Sequence, residues 1–102
     1  MDARQKMVLD SWRAARLGLE ALRRPRTGCA RALTLYRRAW PMLSQADDVR
    51  QPRPVAVPRK HLAWAREAGI RSVTWGEADR TMGVLRAELA DVCGVTDPEG
   101  TE

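Results

Sequence analysis

Between Thr74 and Cys93 the apolar residues Trp75, Ala78, Met82, Leu85, Leu89 and Val92 recur at spacings of 3, 4, 3, 4 and 3. That alternation lays one apolar seam along an α-helix. Thr74 followed three residues later by Glu77 is a capping-box signature at the helix start, and Gly94 supplies a left-handed residue to end it. The seam is close to a heptad pattern. It predicts packing against another long helix of the same chain, or against a second copy in a homodimer through the Trp75 to Val92 seam.

The same periodicity predicts a first helix over 2–24, with Val8, Trp12, Ala15, Leu19 and Leu22 on one face and Pro25 as its stop. A second helix over 28–46 follows, capped by Thr27, with a seam of Ala30, Leu33, Tyr36, Trp40 and Leu43. Pro41 falls inside it, where it predicts a kink or a separate turn. Residues 47–58 have three prolines and no helical period, the signature of a semi-rigid, polyproline-like connection. A short third helix is expected over 58–68, opened by Pro58 and stopped by Gly69, and the helix over 75–93 is the fourth. The tail at 97–102 has no apolar residue and is expected to be disordered. Gly18 and Gly83 lie inside helices one and four, and each is expected to form a notch facing a large side chain of a partner helix.

A chain of 102 residues with no Phe and one Tyr, rich in Ala, Leu and Arg, favours helix over sheet. The fold class is therefore read as all-α: a small four-helix single-domain bundle over 1–96, with the Pro-rich connection between helices two and three. No apolar run reaches the roughly 20 residues that span a bilayer, and the N-terminus lacks a signal-peptide apolar region. A cytoplasmic protein without a membrane partner is expected. Cys29 and Cys93 have no metal-type spacing and are read as buried small hydrophobes of a reducing compartment. No metal or cofactor is expected.

Charge changes the picture. Residues 1–60 carry 14 Lys or Arg against 5 Asp or Glu, and residues 61–102 carry 4 against 8, so the +5 of the whole chain is the sum of +9 and −4. Sixteen of the 18 cations are Arg, whose planar fork pairs with phosphate or carboxylate and stacks on flat rings. A candidate surface follows from Arg23, Arg24, Arg26, Arg31, Arg37 and Arg38, with Arg50, Arg53, Arg59 and Lys60 on or beside the Pro-rich link. Several cations on one face suit a polyanion, because neutralising phosphates releases counterions. A GC-rich genome would raise Arg and Ala together without any binding role, and that alternative stands. Trp12, Trp40 and Trp75 lie on the seams and are expected in the core, whereas Trp64, beside Arg66, is expected to be exposed as an interface anchor.

Ala65, followed four residues later by Gly69 and then Ile70, resembles the helix-turn-helix family of DNA-binding motifs. The resemblance covers about a fifth of the chain and implies that the helix from Trp75 reads DNA. It departs from the family in having Trp75 where a Val or Ile usually packs, and Glu77 and Asp79 at the start of the reading helix. Gln51-Pro52-Arg53-Pro54 resembles minor-groove arms but lacks their glycine. Catalysis finds no support: His61 is the single histidine, and no nucleophile motif or phosphate loop is present. The expected function is a non-enzymatic binder of DNA or RNA through the Arg-rich face, plausibly a regulator. The alternative is a small adaptor or inhibitor, of the kind encoded by phages and mobile elements, that binds an acidic protein or nucleoprotein surface through Arg and Trp.

Overall fold

The computed structural model describes residues 3–46, 55–56 and 72–100. Among them are three helices, α1 (Ala3–Ala21), α2 (Pro25–Gln45) and α3 (Trp75–Cys93), and an antiparallel ladder of two two-residue strands, β1 (Val55–Ala56) and β2 (Ser72–Val73). The molecule is mostly helical. The helix expected over 58–68 lies outside the described residues, so the bundle that can be described has three helices rather than four. Val55 and Ala56 pair with Val73 and Ser72 instead of lying in a polyproline-like run. Valine favours the pleated backbone, and the ladder it joins lies against α1.

Local chemistry sets the helix ends. α1 closes at Ala21, short of Arg24, because residues 22–24 reverse the chain. Pro25 then opens α2 at its first position, with Arg24 rather than Thr27 at the cap. A proline there loses no hydrogen bond, since the first N–H groups of a helix have no partner in it. α2 continues through Pro41 to Gln45 with neither break nor separate turn. At the start of α3 the Thr74 hydroxyl accepts from the Glu77 N–H at 3.0 Å and donates to the Glu77 carboxylate at 3.2 Å. At its end Gly94 adopts φ 68°, and the Val95 N–H reaches the Leu89 carbonyl at 3.0 Å. The expected start and stop of this helix are both present.

The core mixes alanines with larger side chains. Ala14, Ala15, Ala32, Ala39, Ala46 and Ala78 are all buried, together with Val8, Leu9, Trp12, Tyr36, Leu43, Met82, Leu85 and Leu89. The α1 and α3 seams match the sequence pattern in their central residues, although Leu19 and Trp75 are only half-buried and Val92 is exposed. In α2 the buried line is Gly28, Ala32, Tyr36, Ala39 and Leu43; Ala30 is exposed, and Leu33 and Trp40 lie half-buried at the flank. α2 is thus turned so that Ala32 and Ala39 are buried in place of their bulkier neighbours Leu33 and Trp40. The α3 seam is filled by α1 and α2 of the same chain, the intramolecular form of the two expected packings.

Gly18 is a true notch: a Cβ there would stand 2.8 Å from Leu85 Cδ2. Gly83 is not, because a Cβ there would meet nothing within 4 Å, and the expected notch at that position is corrected.

α2 and α3 run antiparallel and are fastened at both ends. Cys29, near the start of α2, and Cys93, the last residue of α3, form a disulfide with a Cα–Cα distance of 5.8 Å. This corrects their reading as separate reduced thiols. A disulfide persists in oxidising surroundings, so the cysteines no longer support a cytoplasmic location. At the other end the Trp75 indole N–H donates to the Leu43 carbonyl at 2.9 Å, satisfying an acceptor in the last turn of α2. The tail is also ordered as far as it is described: Pro98 is buried, and residues 97–100 fold back onto α2. The Glu99 side chain and the Pro98 carbonyl find partners in the helical body, which the sequence pattern does not anticipate. No helix among the described residues is long and apolar enough to cross a membrane.

Two stability changes follow. Gly18→Leu should destabilise the fold by about 1–3 kcal/mol through overpacking against Leu85, whereas Gly83→Ala should stabilise it by up to about 1 kcal/mol through helix propensity alone. Thermal unfolding followed by circular dichroism ranks the two, and equal melting temperatures would contradict the assignment of Gly18 as the notch. Separately, replacing both Cys29 and Cys93 by Ser should cost about 2–4 kcal/mol, because the bond closes a long loop. Urea unfolding of the oxidised chain and the double variant measures that difference.

Candidate functional site

The outer face of α2 gathers the described part of the predicted basic surface. Arg23 and Arg24 sit at the α1–α2 turn, Arg26 in the first turn of α2, and Arg31, Arg37 and Arg38 further along; all six are exposed. Arg24, Arg31 and Arg38 follow at intervals of seven residues, two helical turns or about 10 Å each. They form a row on one side of the face, with Arg26 and Arg37 on the other flank. Among the described residues Arg23, Arg24, Arg26, Arg31 and Arg38 have no ion-pair partner. Arg37 differs, because its Nε–H donates to the Pro98 carbonyl at 3.1 Å. Arg50, Arg53, Arg59, Lys60 and Trp64 lie outside the described residues.

The helix-turn-helix resemblance is partly testable. Ala65, Gly69 and Ile70 are outside the described residues, but Ser72 and Val73 enter α3 as a strand and not as a tight turn. The Trp75 indole is tied to α2, which sets the start of α3 against the bundle.

On the α2–α3 flank, sequence reasoning missed a three-residue polar cluster. The Tyr36 hydroxyl donates to Glu99 Oε1 at 2.5 Å, and Arg86 Nε donates to the same oxygen at 2.8 Å. Such short contacts are typical of hydrogen bonds to a charged acceptor. The hydrogen bond from Arg86 is the main cause holding the Glu99 carboxyl below its ordinary value; the one from Tyr36 adds to it. Burial, and then the donation to Glu99, push the Tyr36 phenol well above the usual tyrosine range. Tyr36 is therefore a donor at any physiological pH. No local sequence signal marks this cluster, since its members are separated by 63 and 13 positions.

Between this cluster and the Trp75 end lies a cleft of about 430 Å³, lined by Tyr36, Trp40, Leu43, Ser44, Trp75, Asp79, Met82, Gly83, Arg86 and Glu99. Trp40 and Trp75 are half-buried walls of this cleft rather than core residues. Gly83 leaves its wall open. Among the described residues no group of three or more His, Cys, Asp or Glu could hold a metal ion, and the two cysteines are bonded to each other.

No known protein family, curated protein or solved structure matches this chain.

The Glu99 cluster has a defined pH signature. A carboxyl whose folded pKa lies below its unfolded value contributes stability that is fully present above the unfolded value, and that contribution is lost as pH falls through the folded one. The tail should accordingly stay docked at neutral pH and detach only on acidification below about pH 4, the ordinary glutamate range. In a pH titration by NMR, the Tyr36 ring and Gly100 amide signals should move together in that acid window. Glu99→Gln should remove the transition.

Proposed function

We propose that this chain is a non-enzymatic binding protein that contacts nucleic acid through the outer face of α2, in the manner of a small regulator. The observation that carries this reading is the set of exposed arginines on one helix face and its leading turn, five of them without an ion-pair partner among the described residues. Leaving cations unpaired on one face is unfavourable for the isolated protein, through mutual repulsion, and favourable once phosphates replace the counterions. The row of Arg24, Arg31 and Arg38 spans about 20 Å, enough to follow several phosphates. Its separation from the core means that binding there needs no rearrangement of the bundle. The acidic half of the chain supplies Asp79, Glu88 and Asp91 to α3, so the charge polarity of the sequence supports a one-sided approach.

The test is a titration with mixed-sequence duplex DNA and with single-stranded RNA at two salt concentrations. Binding should weaken steeply with salt. Arg31→Glu combined with Arg38→Glu should abolish most of it at moderate salt and reduce the slope of log affinity against log salt by about 2. Its circular dichroism spectrum should stay unchanged, since both side chains are exposed. A shallow salt dependence with an acidic protein partner would favour the adaptor or inhibitor reading. Undiminished binding by the double variant would remove this face from consideration.

A further inference from the structure

The cleft between α2 and α3 lies apart from the row of Arg24, Arg31 and Arg38 and has the opposite electrostatic character. Its apolar lining is aromatic for a chain with only five aromatic residues among 102: Tyr36, Trp40 and Trp75 all line it, with Leu43 and Met82. Two of these rings are fixed by hydrogen bonds at their polar atoms, Trp75 to the Leu43 carbonyl and Tyr36 to Glu99. The charged groups in the lining are Asp79, Glu99 and Arg86. Arg86 and Glu99 pair with each other, which leaves Asp79 as the exposed charge without an ion-pair partner among the described residues. The lining therefore carries one net negative charge.

Ring faces attract cations through their quadrupole, most strongly those of Trp. A carboxylate at the mouth adds a Coulomb attraction of the same sign. A polyanion would meet the opposite, because Asp79 repels it and Arg86 is already engaged. We propose that this cleft is a binding site for an organic cation, of the size of a methylated ammonium or a guanidinium group, presented by a basic side chain of a protein partner. Trp40 and Trp75 flank the cation, the buried Tyr36 forms the floor beneath it, and Asp79 neutralises it. Gly83 keeps the wall open: it lines the cleft, and a Cβ there would meet nothing within 4 Å.

The experiment uses the full chain labelled with nitrogen-15 and follows the indole N–H signals of Trp40 and Trp75. Probes are choline, its uncharged carbon isostere 3,3-dimethylbutanol, a short arginine-containing peptide amide and adenosine monophosphate. Choline and the peptide should shift both indole signals saturably in the millimolar range, and the isostere should bind at least about fivefold more weakly, a difference near 1 kcal/mol. Asp79→Asn should weaken the cations by about fivefold and leave the isostere unchanged. Gly83→Leu should fill the cleft and remove binding of every probe while the rest of the spectrum shows a folded protein. Equal binding of choline and its isostere would overturn the proposal in favour of a merely apolar pocket. Preference for adenosine monophosphate would overturn it in favour of base stacking, and no shift with either cation would overturn it outright.

Discussion

Helices rich in alanine can bury their seams only by coming close together, and the rest of this molecule depends on that constraint. Dispersion between small side chains is worth little unless the backbones approach, and here six alanines and Gly18 permit that approach. Gly18 receives Leu85, so a fully buried leucine of α3 docks into a place where α1 has no side chain. Gly28 serves the hairpin in the same way, since a Cβ there would collide with the Ala21 carbonyl. The large rings divide: Trp12 is buried in the core with the Arg16 guanidinium 5.1 Å from its ring centre, whereas Trp40 and Trp75 lie half-buried at the periphery.

The functional geometry is a by-product of that displacement. With the indoles at the edge of the α2–α3 interface, the groove between these helices is aromatic and open. The tail at residues 97–100 closes its far end through Glu99. Arg24, Arg31 and Arg38 lie on an exposed side of α2 away from that groove, whereas Arg37 holds the tail through the Pro98 carbonyl. One helix thus presents a cationic outer surface and contributes Tyr36 and Trp40 to an anionic cleft on its flank, and the two can act without obstructing each other.

Much of this was legible in the residues. The seams of α1 and α3 follow from spacing, and the start and stop of α3 follow from Thr74, Glu77 and Gly94, because capping chemistry is local. The phase of α2 differs from the pattern because Leu33 and Trp40 offer more apolar area than Ala32 and Ala39, while close packing rewards the smaller pair. Features joining distant positions left no trace in spacing. Cys29 and Cys93 are 64 residues apart, and Glu99 reads as a solvated tail residue until Tyr36 and Arg86 converge on it. The basic face was visible as composition, but the cleft requires two helices to be brought together before its residues are neighbours.

The Cys29–Cys93 bond closes a covalent ring around everything between the second turn of α2 and the last residue of α3. The connection from residue 47 to residue 71 lies wholly inside that ring. A protease that cut this connection would turn the polypeptide into two chains without releasing either: the α1–α2 hairpin would keep α3 as a bonded partner, at the effective concentration of a tethered ligand. Reduction after such a cut would convert a unimolecular fold into a bimolecular complex that dilution can take apart.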